Sequence, residues 1–365
     1  MEIQWYIPTH TDGPHLSTTR LARGPSPAYL GQVAVAADTL GYAGALVPTG
    51  RACEDSWAVA SYLAALTRRL RYTVAVRPGQ SSPTMTARMA ATLDRVSGGR
   101  LNVNVVIGGD PVELAGEGVF LDHGDRYALA DEYLEVWTAL LAGETVDFDG
   151  RFVRVDGGRL EYPPLQRPRL PLLCGTSSPA GRAFAGRWID TVLTWGEPPD
   201  QLAPKLEATR AAFAVHGREP RFGIRLHVVV RERAEDAWAA AEDLLRHVDD
   251  DAIAASQEIL ARTESEGQRR MVAQHGGRRD RLEVSPNLWA GVGLVTAGAG
   301  TALVGSPEEV AERLLEYHAM GIDLFILSGY PHLEECYRVA ELLFPLLPFD
   351  ADAQIAAPNM IAAGW

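Results

Sequence analysis

The chain has 365 residues, 47% of them hydrophobic, and 34 Lys and Arg against 47 Asp and Glu give a formal net charge of −13. That balance argues against nucleic acid as the main partner, because phosphate binding needs clustered cations. Three scattered cysteines (Cys53, Cys174 and Cys336) with no CxxC spacing exclude a disulfide framework or structural zinc site and fit a reducing cytoplasm, while the lack of 18 consecutive apolar residues argues against a membrane span.

Short apolar runs alternate with amphipathic stretches along the chain. Ile3–Pro8 reads as a strand that begins without a basic leader, so no secretory signal is expected. Pro27–Gly41 reads as a helix capped by Ser26 and stopped by Gly41. Gly44–Pro48 is the second strand and Asp55–Thr67 the second helix. Tyr72–Val76 is the third strand, and Ser82-Pro83 opens a helix to about Ser97. Leu101–Ile107 is the fourth strand and Arg126–Ala142 its helix. A hairpin follows, Thr145–Phe148 and Phe152–Val155, turning at Asp149-Gly150. The fifth strand is Pro171–Cys174 with helix Pro179–Arg187, and the sixth is Thr191–Thr194 with helix Pro199–His216. Phe222–Val230 is the seventh strand, followed by helix Glu235–His247. Helix Pro307–Met320 precedes the eighth strand, Leu324–Leu327, and Leu333–Phe344 is the last helix.

Eight strands each followed by a helix, several of them continuously apolar, predict an α/β protein closed as a (β/α)8 TIM barrel. A doubly wound sheet is the alternative, weakened by the lack of a Gly-x-Gly-x-x-Gly after the first strand. Residues 249–306 break the rhythm between strands seven and eight. They hold a helical stretch, Ala252–Thr263, then a charged stretch, then Gly291–Gly305 with five glycines. An insertion after a barrel strand lies at the catalytic face, so this one reads as a lid. Residues 1–348 form one domain, and 349–365 read as an irregular tail whose Trp365 is a candidate for docking.

Chemistry belongs at strand C-terminal ends. Alternation on strand seven puts Arg225 and His227 on one face. Burying an arginine is costly, so it marks either a structural ion pair or an anion or oxygen-intermediate site. Strand eight runs into Ser328-Gly329-Tyr330-Pro331-His332, which places Tyr330 and His332 in the next loop, within reach of strand seven. His10 and Cys53 follow strands one and two. A lone cysteine is commonly inert core, and no base stands beside this one. Trp195 ends strand six as core or pocket wall. Cys174-Gly175-Thr176-Ser177-Ser178 leads into a helix, as a simple cap or a phosphate cradle. His123-Gly124-Asp125-Arg126-Tyr127 is a second candidate ligand loop. No His-Glu-x-x-His spacing is present, so no metal is expected.

Longer strings carry a resemblance. Pro48-Thr49-Gly50-Arg51 with Cys53-Glu54-Asp55, Leu193-Thr194-Trp195-Gly196-Glu197-Pro198-Pro199, Arg221-Phe222-Gly223-Ile224-Arg225-Leu226-His227, Ser285-Pro286-Asn287-Leu288-Trp289 and Ser328-Gly329-Tyr330-Pro331-His332 resemble alkanesulfonate monooxygenases, which are bacterial-luciferase-like flavin enzymes. The resemblance runs in matching order over about residues 3 to 347. It implies a TIM barrel with an insertion after strand seven, usually tetrameric. It also implies an oxygenase that takes reduced FMN from a separate NAD(P)H-dependent reductase, adds O2 and splits a sulfonate into aldehyde and sulfite. By position it implies Arg225, His227, Tyr330 and Cys53 as catalytic groups, with His10, Trp195 and His332 lining the pocket. Ser177 and Ser178 match the FMN phosphate site, His123 and Tyr127 a further flavin contact, and Asn104 the adjoining strand. One position departs from the pattern: Thr296 stands in the lid where an arginine is expected. The loop His10-Thr11-Asp12-Gly13-Pro14-His15 also carries an extra Pro and His. A flavin-binding scaffold without turnover is the alternative class, and retention of Arg225, His227, Tyr330 and Cys53 argues against it.

Overall fold

The computed structural model describes residues 1–348; the tail and the docking expected for Trp365 lie outside them. Strand β1 (Glu2–Tyr6) leads to α1 (Pro27–Leu40), β2 (Gly44–Val47), α2 (Ser56–Leu66), β3 (Arg71–Val76), α3 (Pro83–Val96) and β4 (Leu101–Val105). Helices α4 (Pro111–Gly116) and α5 (His123–Ala142) precede a hairpin of β5 (Val146–Asp149) and β6 (Arg154–Gly158). Then come β7 (Leu172–Gly175), α6 (Pro179–Trp188), β8 (Thr191–Trp195), α7 (Pro199–Ala214), β9 (Arg221–Val230) and α8 (Ala234–Leu244). The insertion holds α9 (Asp250–Ala261), α10 (Glu266–His275), β10 (Glu283–Ser285), β11 (Leu288–Trp289) and β12 (Ala302–Gly305). Helix α11 (Pro307–Ala319), β13 (Ile322–Ser328) and α12 (His332–Leu343) complete the order.

Strands β1, β2, β3, β4, β7, β8, β9 and β13 pair in that order, all parallel, and β13 closes on β1. The expected (β/α)8 barrel is therefore present. Four of its helices begin the same way, with a serine N-cap and proline in the first turn: Ser26, Ser82, Ser178 and Ser306. The hydroxyl accepts an otherwise orphaned amide, and proline gives up no hydrogen bond there.

The strand register fills the barrel from one alternating set of residues. Near its floor Thr73 donates to Gln4 at 2.9 Å and Asn102 to Thr73 at 3.4 Å. Above them Leu46, Leu173, Leu193, Leu324 and Ile326 form an apolar layer against Tyr6. Gly223 belongs to the same face, where a Cβ would stand 2.7 Å from Leu193 Cδ2 and 3.2 Å from Leu324 Cβ. Gly223→Ala should destabilise the fold by about 1–3 kcal/mol through overpacking; urea melts showing no loss would mean that the layer has slack.

Three sequence expectations need correction. The hairpin turns over 150–153 rather than at Asp149-Gly150, because Asp149 pairs with Arg154. Glu132 of α5 accepts the amides of Arg151, Phe152 and Val153 at 2.8–2.9 Å and draws them out of the strand. The charged stretch of the insertion contains α10, capped by Ser265. The glycine-rich end contains β12, which pairs in parallel with β9. Ten-residue β9 outruns β8, whose pairing stops at Arg225, and β12 takes over from His227 to Val230. That supplies partners for backbone groups that would otherwise be buried unpaired.

Candidate active site

Arg225 and His227 occupy the inward face of β9 at the end where β8 stops, beside Trp195 and Ser328 respectively. Arg225 is 9% exposed. It donates to Leu226 O at 2.8 Å, and its guanidinium lies 4.6 Å from the Tyr6 ring centroid. Among the described residues no carboxylate forms an ion pair with it, so the structural ion-pair alternative is absent. Burial pulls its pKa down, while Tyr6 and Tyr330 act in the opposite sense. An unpaired buried guanidinium is held at a cost, and an anion in the cavity would remove that cost.

His227 is 4% exposed, and both its nitrogens are engaged. Nε2 lies 2.9 Å from Ala299 O and Nδ1 2.7 Å from Ser328 Oγ. A carbonyl only accepts, so Nε2 carries the hydrogen and the Ser328 hydroxyl donates to Nδ1. Burial first, then the neighbouring Arg225, pushes the ring well below its ordinary pKa, so it is neutral. In this arrangement it meets a ligand by its face, or by giving up one of these bonds. Its ring stacks on Tyr330 at 5.3 Å and 20°.

Tyr330 and His332 do converge on this pair. Their rings meet edge to face at 5.0 Å. His332 is the first residue of α12 rather than a loop residue. Burial pushes the Tyr330 phenol up to about 12, against the pull of Arg225, so it is a donor at neutral pH. His10 closes the other side, with its ring 6.0 Å from Tyr6 and 6.2 Å from His332. Cys53 sits half-buried beyond β2. Burial raises its pKa more than Thr9 lowers it; it is therefore a thiol, suited to hydrogen bonding rather than to attack.

The other predicted residues lie across the same barrel end. Asn104 points inward on β4, beside Leu173 in register, and its Oδ1 is buried without a partner among the described residues. The Ser178 hydroxyl caps α6, accepting from Gly181 N at 3.1 Å. Both open readings of this segment survive, since a cap oxygen still has a hydrogen to donate. His123 and Tyr127 meet at 5.3 Å on the first turns of α5, and burial raises the Tyr127 phenol, with Ser178 and Thr176 opposing.

The insertion is folded over this end. Gly267 of α10 packs where a Cβ would stand 3.2 Å from the Trp195 ring and 3.4 Å from Ser177 Oγ. Glu264 N donates to Gly109 O at 2.7 Å, and Glu264 also pairs with Arg126. Arg270 of α10 binds Glu197 beyond β8, which also holds buried Lys205 at 3.0 Å. Thr296 lies in the turn after residues 291–294, its amide donating to Val292 O at 3.1 Å. Sequence reasoning missed Tyr6, Asp12, Ser328, Lys205 and Arg270. Tyr6 was legible by alternation from Gln4, but the others act through residues distant in the chain.

A family model described as luciferase-like monooxygenase matches residues 1–324. Solved structures share the fold along the chain. A riboflavin lyase with modified FMN and riboflavin has a TM-score of 0.79 at 20% identity, covering 98% of this chain and 93% of the other. A long-chain alkane monooxygenase reaches 0.77 at 19%, covering 98% and 96%. An EDTA monooxygenase from Chelativorans sp. BNC1 reaches 0.74 at 16%, covering 99% and 96%.

Proposed function

We propose that this chain, which belongs to the luciferase-like monooxygenase family by its match over residues 1–324, is the oxygenase of a two-component system that uses reduced FMN and O2 to convert an alkanesulfonate into an aldehyde and sulfite. Fold alone does not choose the substrate, since the solved structures that share it include an alkane monooxygenase and an EDTA monooxygenase. The observation that carries the reading is Arg225, a buried guanidinium at the barrel mouth with no ionic partner among the described residues. A sulfonate supplies the missing charge, and a planar fork of donors suits its oxygens.

Reduced FMN fits the residues present. The unpartnered Asn104 Oδ1 offers an acceptor, and Gly175, at the adjoining inward position of β7, leaves open space where a Cβ would meet nothing closer than Leu193 O at 3.9 Å. Ser177 and Ser178 would hold the phosphate at the start of α6, with His123, Tyr127 and Asn104 as further contacts. When bound, the flavin supplies the two electrons that activate O2. A separate NAD(P)H-dependent reductase is the partner that this reading requires, and a homotetramer is the assembly it carries with it.

The protein's own groups do the rest. Arg225 binds the head group, and Tyr330 donates a hydrogen bond beside it. His227 stays neutral and fixed, so it adds no competing charge. Cys53, His10, Trp195 and His332 close the walls. Helix α10 and the loop through Ala299 keep water out, which prevents loss of activated oxygen as H2O2.

Sulfite release from a panel of short and long alkanesulfonates, with FMN and a reductase, tests the reading; no sulfite above uncoupled background anywhere in the panel would overturn it. Thr296 favours a second reading, a related monooxygenase with another substrate such as a sulfone or a biosynthetic intermediate, because a lid arginine would add a second fork to the anion. Mass-spectrometric detection of an oxygenated product from neutral substrates, without sulfite, would select it.

A further inference from the structure

Beyond Arg225, the mouth of the barrel contains a second polar device, built from Asp12 and His332. Asp12 and His332 are each 1% exposed. His332 Nδ1 lies 2.9 Å from Asp12 Oδ1, and the His332 backbone amide donates to Asp12 Oδ2 at 2.8 Å. The Tyr29 hydroxyl donates to the same Oδ2. Burial would raise the Asp12 carboxyl, but its interaction with His332 and these hydrogen bonds outweigh it and hold the group below its ordinary value. Asp12 is therefore a buried anion. Its only direct ionic partner among the described residues is His332. Arg23 lies behind it, over the Tyr29 ring at 4.9 Å and paired with Glu334.

The other imidazole nitrogen, His332 Nε2, is buried with no hydrogen-bond partner among the described residues. Trp5 Nε1 holds the His332 carbonyl at 3.2 Å, which anchors the residue. The groups facing the ring are Tyr6 from β1, His10 and Asp12 from the loop after it, and Tyr330 before α12, while Tyr29 of α1 faces Asp12. His227 and Arg225 lie behind Tyr330 and Tyr6. His10 is the partly exposed member of this wall. A buried polar atom left without a partner is costly, and active sites are where such a cost is retained.

We propose that Asp12 is a positioning residue that holds His332 as an imidazolium, so that its free Nε2–H is a second cationic donor, beside Arg225, for the anionic head group of the substrate. The assignment rests on the proposed site for an anionic substrate. It also names the cation that serves in a chain whose lid carries Thr296. The charges balance: Asp12 and His332 cancel, and the bound anion answers Arg225.

The test is binding of octanesulfonate to the resting full-length protein, followed by tryptophan fluorescence across pH, with octanol as the uncharged control. Asp12→Asn keeps an acceptor for Nδ1 but removes the charge. It should weaken octanesulfonate about tenfold or more at neutral pH, the scale of one charge-assisted hydrogen bond, and leave octanol unchanged. Binding should fall in the wild type as rising pH takes the proton from the imidazolium. Without the carboxylate the proton leaves more readily, so in Asp12→Asn the fall moves to lower pH. His332→Gln, which can donate but not titrate, should bind weakly and lose that pH step. Identical pH profiles for wild type and Asp12→Asn, or equal weakening of octanesulfonate and octanol, would overturn the proposal. Should Asp12→Asn not fold, nitrogen NMR of histidine-labelled wild type decides: both His332 nitrogens protonated supports the pair, and a lone-pair Nε2 overturns it. If octanoate binds with this pH dependence and octanesulfonate does not bind, the pair stands and the sulfonate reading fails. If neither anion binds, the pair fails.

Discussion

Arg225→Met should melt at a higher temperature than the wild type and turn over substrate at least a hundredfold more slowly. The two effects share one cause. Arg225 is buried at the barrel mouth with a single backbone acceptor, a tyrosine face and, among the described residues, no carboxylate. The resting protein therefore carries the desolvation of a charge without the Coulombic return that a partner would provide. An unbranched apolar side chain of similar length removes that cost, and replacement of buried charges by apolar groups has gained about 1–4 kcal/mol in other proteins. The same substitution deletes the fork of donors for the head group, and loss of one such donor costs about 10²–10³ in rate. Arg225→Lys should recover little, because an ammonium has the charge without the planar fork. Differential scanning calorimetry and sulfite release on the same preparations check both halves. A variant that loses activity and stability together would show that Arg225 holds the barrel together instead.

Glu197→Gln should be the most damaging single change to the lid. Glu197 bridges two cations on different elements, Lys205 of α7 and Arg270 of α10. Burial lowers the Lys205 pKa and Glu197 opposes it, so loss of the carboxylate leaves a buried ammonium without its countercharge, with only neutral acceptors such as Thr194, at 2.7 Å, to hold it. Breaking a buried pair by removing one side costs about 3–5 kcal/mol. Because Lys205 then sheds its proton more easily, the loss should be smaller at alkaline pH than at neutral pH. Release of Arg270 should also free α10 from the barrel. Limited proteolysis should cut within 262–281 sooner than in the wild type, and H2O2 formed per sulfite should rise. Lowered stability with an unchanged cleavage rate would mean that Gly109 and Arg126 hold the lid unaided.

Much of the barrel was legible because its rules are local. Apolar runs, Ser-Pro helix starts and stop signals such as Gly41 depend on a few neighbouring residues, and they fall within a residue or two of the observed boundaries. Alternation on the seventh strand also put Arg225 and His227 on one face without any knowledge of the fold. The insertion was harder to read. Ala302–Gly305 is too short to announce a strand, and it is one only because β9 outruns β8 there. The hairpin loop was misplaced because Glu132, some twenty residues earlier, binds its amides.

By itself the sequence determined the eight-fold alternation, the place of the insertion and the polar residues at strand ends, since each follows from periodicity and caps along one stretch of chain. Only the tertiary structure decided what those residues are. Closure of β13 on β1 brings residue 12 beside residue 332, and the pairing of β12 with β9 brings residue 299 beside residue 227. Together they leave Arg225 without an ionic partner among the described residues, hold His227 neutral and tie His332 to a buried carboxylate. Charge state and hydrogen-bond partnership depend on groups 72 to 320 residues apart in the chain, and no local pattern encodes that distance.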